Sequence, residues 1–281
     1  CENGVISHIQ STPFFHSVGY YYYIITKILG FKIGQEGKVT GLAARGDASG
    51  TAKVLKQFIF YNSKKNRPEN LRTEGFQDIA EVKEALSNFN RDDIAAGIQN
   101  VIEEITTNWV SDLIKKNTFF GEKVKLALAG GVFANVLLNQ KLAALPNVEE
   151  IFVFPAMGDG GLCAGAAFAT NAKHQKNNRP KALQHVYLGP ILQHERTKEI
   201  LEKSGLVFTQ PEDIFKATAK LLSENKIVGR FDGRMEYGPR ALGNRSILCS
   251  AESKTANEKL NQKLSRSDFM PFAPAVMSEH A

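Results

Sequence analysis

VKLALAGGVFANVLLNQKLAALPNVEEIFVFPAMGDGGLCAGAAFAT, residues Val124–Thr170, is the stretch whose reading decides the fold. Val124–Ala129 is a short β-like run, Gly130–Gly131 a tight turn, and Phe133–Leu145 long enough for a helix. The pattern then repeats: Glu150–Phe154 reads as a strand, Pro155–Gly161 as a glycine loop, and Leu162–Thr170 as an Ala-rich helix. Two strand, Gly-loop and helix units in succession predict an α/β protein with parallel strands. In such folds ligands gather where strands end and helices begin. That geometry draws attention to the glycine loops, Gly130–Gly131 after the first strand and Pro155–Gly161 after the second.

Working outward toward the N-terminus, Asp92–Lys116 is the clearest helix. Ile94, Ile98, Val101, Ile102, Ile105, Trp109, Leu113 and Ile114 recur at the three-to-four spacing of one buried face. His16–Leu29 predicts another helix, closed by Gly30, with Tyr20–Tyr23 as packing aromatics. Between them lie Lys38–Asp47, which carries Gly41 and Gly46, a β-like run at Val54–Tyr61, and a polar segment, Asn62–Glu74, expected to be an exposed loop. Toward the C-terminus, the polar, basic Asn171–Ala182 contains Pro180 and marks a domain boundary, giving domains over 1–175 and 183–281. Beyond it, Val186–Gly189 and Val207–Thr209 read as strands, and His194–Lys203 and Pro211–Asn225 as helices. A short helix is expected within Thr255–Ala275, followed by Arg266 and a PFAP turn.

A second focus lies in that C-terminal part, at Gly229–Leu248, GRFDGRMEYGPRALGNRSIL. The flanking runs Lys226–Phe231 and Ser246–Cys249 read as strands that could aim a loop. Within it stand Arg234, Arg240 and Arg245 among Gly233, Gly238, Pro239 and Gly243, with Glu236, Asn244 and Ser246 beside them. Guanidinium forks recognise carboxylate and phosphate in a bidentate way, and glycines allow backbone N–H groups to approach an anion. The loop therefore reads as an oxyanion cradle.

Composition sets bounds on partners. The formal net charge of +6, with an isoelectric point of about 9.1, favours anionic ligands, but no Lys/Arg-rich run with interleaved aromatics points to nucleic acid. Three cysteines, Cys1, Cys163 and Cys249, without CxxC spacing suit neither a disulfide framework nor a thiolate zinc site, so a reducing, cytoplasmic setting is expected. Apolar runs are too short for a membrane span. The chain begins without Met and stops soon after PFAPAV, so a fragment is expected.

Taken together, four blocks resemble the O-carbamoyltransferases of the antibiotic-biosynthesis and nodulation type. They are FHSVGYYYYIITKILGF with KVTGLAARGD, then LALAGGVFAN, then FPAMGDGGLCAGAA, and finally GRFDGRMEYGPRALGNRSIL followed by FMPFAP. LALAGGVFAN by itself is also similar to the tRNA-threonylcarbamoyl enzymes, whereas GRMEYGPRALGNRS is specific.

The resemblance implies an actin-like (ASKHA) lobe followed by a YrdC-like α/β domain. It implies an enzyme that makes carbamoyl-adenylate from carbamoyl phosphate and ATP and passes the carbamoyl group to a hydroxyl of a small-molecule or glycan acceptor. By the same resemblance Arg234, Arg240 and Arg245 form the catalytic cradle with Asn244 and Ser246, Gly130, Gly131, Asn135 and Gly158 belong to nucleotide loops, and Asp159 binds a divalent metal of the iron or magnesium type. The paired histidines of the family's metal motif have no counterpart here. His8 and His16 stand apart and read as structural, and the first ASKHA lobe and the extreme C-terminus are expected to be missing. A homodimer, a tRNA-modifying activity and a non-catalytic nucleotide-binding module all stay open.

Overall fold

The computed structural model describes residues 6–71, 78–118, 121–174, 183–191, 193–252, 255–265 and 272–280. The chain divides into two compact units, Cys1–Arg179 and Pro180–Ala281. Within the first, helices α1 (Val18–Ile28), α2 (Glu36–Ala43) and α3 (Ser49–Leu55) precede the hairpin β1 (Ile59–Asn62) and β2 (Arg67–Asn70). Then come α4 (Asp78–Ala85), the long α5 (Arg91–Asn117), β3 (Val124–Leu128), α6 (Val136–Ala143), β4 (Val148–Val153) and α7 (Leu162–His174).

Helix α5 is the axis of this unit. Its start is fixed by Asn90, whose side chain accepts from the Asp93 N–H, while Asp92 and Asp93 sit at the positive end of the helix dipole and Lys115 and Lys116 at the other. Ile94, Ile98, Val101, Ile102, Ile105 and Ile114 are buried, and Trp109 on the same stripe is half-buried. Against this face pack Tyr21, Ile24 and Ile25 of α1, Val39 and Leu42 of α2, and Leu55 of α3. The tyrosines of α1 are packing residues with an additional polar tip: Tyr21 Oη donates to Asn70 at 2.7 Å, and Tyr22 Oη to Gln99 at 3.1 Å. Gly46 packs so tightly over the start of α5 that a Cβ there would collide with the Asp92 backbone.

Two sequence expectations fail in this region. Val54–Tyr61 is not one strand: its first half ends α3, and only Ile59 onward joins β1. Within the polar Asn62–Glu74, Arg67–Asn70 is a folded return strand rather than an exposed loop, with Asn66, Glu69 and Asn70 buried, while residues 72–74 lie outside the described residues. The reason is electrostatic satisfaction, because Glu69 accepts from Lys65, Asn62 and Arg67, which hold its carboxyl down at about 2. His16 is tied into the same place, its Nδ1 accepting the Asn70 N–H at 2.8 Å.

Strands β3 and β4 pair in parallel, with Leu126 opposite Ile151 and Leu128 opposite Val153. One face of the pair packs on α6, where Leu128, Leu138 and Leu142 form a small core with Val110, Val132, Phe133 and Leu145 around it. The other face alternates outward, with Lys125 paired to Glu150 at 2.9 Å and Phe152 half exposed. Leu138 is completely buried, so Leu138→Ala is expected to lower stability by about 2–5 kcal/mol, read as a shift in denaturant midpoint.

The second unit contains α8 (His194–Lys203), α9 (Ile214–Ser223), the antiparallel pair β5 (Val228–Phe231) and β6 (Arg245–Leu248), and α10 (Ala256–Lys263). The expected strands Val186–Gly189 and Val207–Thr209 are absent. Val207 is fully exposed and has no partner strand, while residues 186–190 form irregular backbone hydrogen bonds to the Arg loop, with Pro190 unable to donate. The polar boundary segment begins as the last turn of α7, which runs to His174; its remainder, together with Arg266, lies outside the described residues.

Candidate functional site

Each unit carries its own cluster of the residues singled out above. In the first, both glycine loops emerge at the C-terminal ends of β3 and β4, and a hydrogen bond from the Gly130 N–H to the Met157 carbonyl, 2.6 Å, ties one loop to the other. Gly130 has φ of +117°, a backbone state that a side chain would strain. No atom lies within 4 Å of the point where a Cβ would stand on Gly131 or Gly158, so both backbones are open to close approach by a ligand. Gly161 answers to packing instead, since a Cβ there would meet the Ala156 carbonyl. This edge therefore suits an anionic group lying against bare backbone, as the phosphates of a nucleotide would.

Asn135 is largely committed to the protein. It caps α6, its Oδ1 accepting from the Leu138 N–H at 3.2 Å, and its amide pairs with the amide of Gln99. One of its two Nδ2 protons is used by Gln99; among the described residues nothing takes the other.

Asp159 is exposed in the turn ahead of α7, and its carboxylate makes no hydrogen bond among the described residues. Those residues also contain no group of three His, Cys, Asp or Glu side chains close enough to hold a metal ion. His16 would need a free ring nitrogen, yet its Nδ1 lone pair is spent on Asn70, and His8 bonds to Ser11 at 2.7 Å. The described residues thus do not make a metal site by themselves, and no chemical step is derived through one. Because Asp159 caps nothing, Asp159→Asn is expected to leave stability within the range of ordinary surface substitutions, about ±0.5 kcal/mol, read as a shift in denaturant midpoint.

In the second unit the loop between β5 and β6 is closed at its base by the Asp232 N–H donating to the Asn244 carbonyl at 3.0 Å. Glu236 is its organiser. Only 5% exposed, its Oε1 accepts the N–H groups of Leu242, Asn244 and Arg245 at 2.8, 2.7 and 3.1 Å. Burial pushes its carboxyl up, but these N–H donors and its own prevail and hold it at about 2. The Gly243 N–H is likewise taken by Ser246 Oγ, and Asn244 Nδ2 donates to the Arg234 carbonyl at 2.8 Å. The backbone donors of Leu242, Gly243, Asn244 and Arg245 are therefore consumed within the loop rather than offered to an external anion, and Asn244 and Ser246 brace it.

The three arginines separate into different situations. Arg245 donates to the carbonyls of Asp232, Asn244 and Gly233 and lies 3.6 Å over the Phe231 ring, so its fork is filled by the protein. Arg234 is exposed and uses one nitrogen, Nη1, on the Gly189 carbonyl at 3.2 Å. Arg240 is exposed beside the Gly238–Pro239 corner, and no described residue pairs with it. Sequence reasoning had no role for Glu236; the available signal was a lone carboxylate among three guanidiniums.

Comparison with known proteins bears on both units. Residues 2–168 match the family described as Carbamoyltransferase N-terminus, and residues 219–281 match the one described as Carbamoyltransferase C-terminus. The chain belongs to the carbamoyltransferase family. Among its relatives, the nodulation protein NolNO of Sinorhizobium fredii is 31% identical over 290 residues, covering 98% of this chain and 41% of the relative. An uncharacterized protein of Methanocaldococcus jannaschii is 34% identical over 96% of this chain and 52% of its own length. The 3'-hydroxymethylcephem-O-carbamoyltransferase of Streptomyces clavuligerus is 31% identical over 56% of this chain and 29% of its own length. The chain spans about half the length of the first of these relatives. In this carbamoyltransferase family member, no helix among the described residues is long and apolar enough to cross a membrane.

Proposed function

We propose that this chain belongs to an O-carbamoyltransferase that makes carbamoyl-adenylate from carbamoyl phosphate and ATP and transfers the carbamoyl group to a hydroxyl of a small-molecule or glycan acceptor. In this reading residues 1–175 are an actin-like (ASKHA) lobe and 183–281 a YrdC-like domain. The observation that carries it is Arg240, an exposed guanidinium with no partner among the described residues, on a loop whose return backbone N–H groups at Leu242, Gly243, Asn244 and Arg245 are used to hold its shape. A charged fork kept free on a braced loop suits an anionic substrate.

Water first cleaves carbamoyl phosphate to carbamate and inorganic phosphate; a carbamate oxygen then attacks the α-phosphorus of ATP and expels pyrophosphate, giving the adenylate. Negative charge concentrates on the phosphoryl oxygens as this happens, and fixed guanidiniums offset it without rearranging. Arg240 would meet those oxygens, with Arg234 contributing its remaining donors, while Arg245, Asn244 and Ser246 would keep the loop in place. In the transfer half-reaction the acceptor hydroxyl attacks the carbamoyl carbon and AMP leaves with the electron pair of the cleaved C–O bond. Gly130, Gly131 and Gly158 would lie against the nucleotide phosphates.

Pyrophosphate release tests the first half of this reading. With ATP and carbamoyl phosphate both present, pyrophosphate should accumulate, and it should stop when either is omitted. Release that ignores carbamoyl phosphate would contradict the assignment.

A further inference from the structure

The Gly130–Gly131 loop has a buried polar support that reaches across the helical core. Gln99 lies in the N-terminal third of α5 and is 5% exposed. Its Nε2 donates to Asn135 Oδ1 at 3.2 Å and to Glu103 Oε1 at 2.7 Å, and its Oε1 accepts from Asn135 Nδ2 at 2.8 Å and from Tyr22 Oη at 3.1 Å. All four hydrogen-bonding positions of the amide are filled. The network fixes its own orientation. Glu103 can only accept, so the Gln99 nitrogen must face it, and the Leu138 N–H needs an acceptor, so the Asn135 oxygen must face that. Tyr22 Oη is 2.6 Å from Thr40 Oγ1, extending the line of hydrogen bonds to α2, and burial pushes the Tyr22 hydroxyl up so that it remains a donor.

Asn135 is the point where this network meets the glycine loop. Its backbone N–H donates to the Val132 carbonyl at 3.1 Å, and the Phe133 N–H donates to the Gly130 carbonyl at 3.0 Å. Val132 in turn packs against Gly19 of α1, where a Cβ would collide with it. A helix cap on its own needs no partner in a neighbouring helix; here the capping side chain is held from behind by a second amide that has no freedom to turn.

We propose that Gln99 is a positioning residue for nucleotide binding, acting through Asn135 to hold the Gly130–Gly131 loop in the shape that meets the phosphates. This rests on the nucleotide reading of that loop given above. Gln99→Leu keeps the side-chain bulk and removes every polar contact. In the full protein it is expected to weaken ATP binding, measured by calorimetry, roughly tenfold, the scale of one buried hydrogen bond transmitted to the ligand, with the turnover rate at saturating ATP kept within about twofold. Amide exchange at Leu138 of α6 should quicken while exchange along α5 stays as it was. In an Asn135→Ala background the same substitution should add little, because the two residues act as one unit.

A Gln99→Leu protein whose ATP affinity and Leu138 exchange both match the wild type, even with a lower melting temperature, overturns the proposal. Fully additive losses in the double variant overturn it too, since Gln99 would then act by another route. If the wild-type protein itself shows no affinity for ATP, the nucleotide reading fails. Leu138 exchange then still decides whether Gln99 holds the loop: unchanged exchange counts against it and faster exchange for it.

Discussion

Glu236→Ala is expected to reduce carbamoyl-phosphate-dependent pyrophosphate release by about a hundredfold, the scale of a displacement near 1 Å in a positioned site. The substitution leaves three N–H groups without their common acceptor, those of Leu242, Asn244 and Arg245, and these bonds define the return half of the Arg loop. Arg240 sits on that half, so its guanidinium would lose its aim without being touched. Glu236→Gln keeps an oxygen that can accept and should recover part of the loss. The carboxyl also gives the loop an acid limit. Its folded value of about 2 is below the ordinary 4.5, so its contribution to stability is complete above 4.5 and is lost as pH falls from there through about 2. A Glu236→Gln protein should lack that part of the acid transition. Unchanged activity in Glu236→Ala would mean that the loop holds its shape by other means or takes no part in catalysis.

Arg240→Lys and Arg245→Lys are expected to fail in opposite ways. Arg240 has no described partner, so Lys in its place should leave the melting temperature alone and cut pyrophosphate release by roughly tenfold, about 1.4 kcal/mol of transition-state binding, because the planar fork is lost. Arg245 spends its fork on three carbonyls and the Phe231 ring, contacts that a single ammonium cannot reproduce. Arg245→Lys should therefore cost about 1–2 kcal/mol of stability, and its activity should fall through the disturbed loop. Measuring thermal unfolding and turnover on both variants checks the split. A destabilised Arg240→Lys protein with normal activity per folded molecule would reverse these roles.

Much of this was legible in the amino-acid order. The alternation and glycine punctuation of Val124–Thr170 gave away the parallel β3–β4 pair, since strand, tight turn and helix each leave a local mark. The apolar stripe from Ile94 to Ile114 did the same for α5. What stayed hidden depends on contacts distant in sequence. Arg67–Asn70 carries Arg, Pro, Glu and Asn, poor strand formers, and becomes a strand because Lys65 and Asn62 satisfy Glu69 and because Tyr21 and His16 reach Asn70. Val207–Thr209 has strand-forming residues and no neighbour to pair with.

The candidate sites divide along the same line. Residue type and spacing marked Arg234, Arg240 and Arg245 as a group, but only three-dimensional pairing shows that Arg245 is a structural fork while Arg240 has no partner among the described residues. Sequence also could not show that Glu236, rather than an external anion, occupies the loop's backbone donors, because that bond set closes only when β5 and β6 bring residues 236 and 242–245 together. Gln99 and Asn135 lie 36 residues apart and look unrelated until α5 and α6 are packed.

The most direct test is to supply the full protein with ATP and carbamoyl phosphate labelled at the carbamoyl carbon, together with hydroxyl-bearing acceptors, and to follow the label by mass spectrometry. The account predicts that label moves to an acceptor oxygen only when ATP is present, with one AMP formed for each carbamoyl group transferred. Transfer of label without ATP, or ATP cleavage that yields ADP in place of AMP, would contradict it.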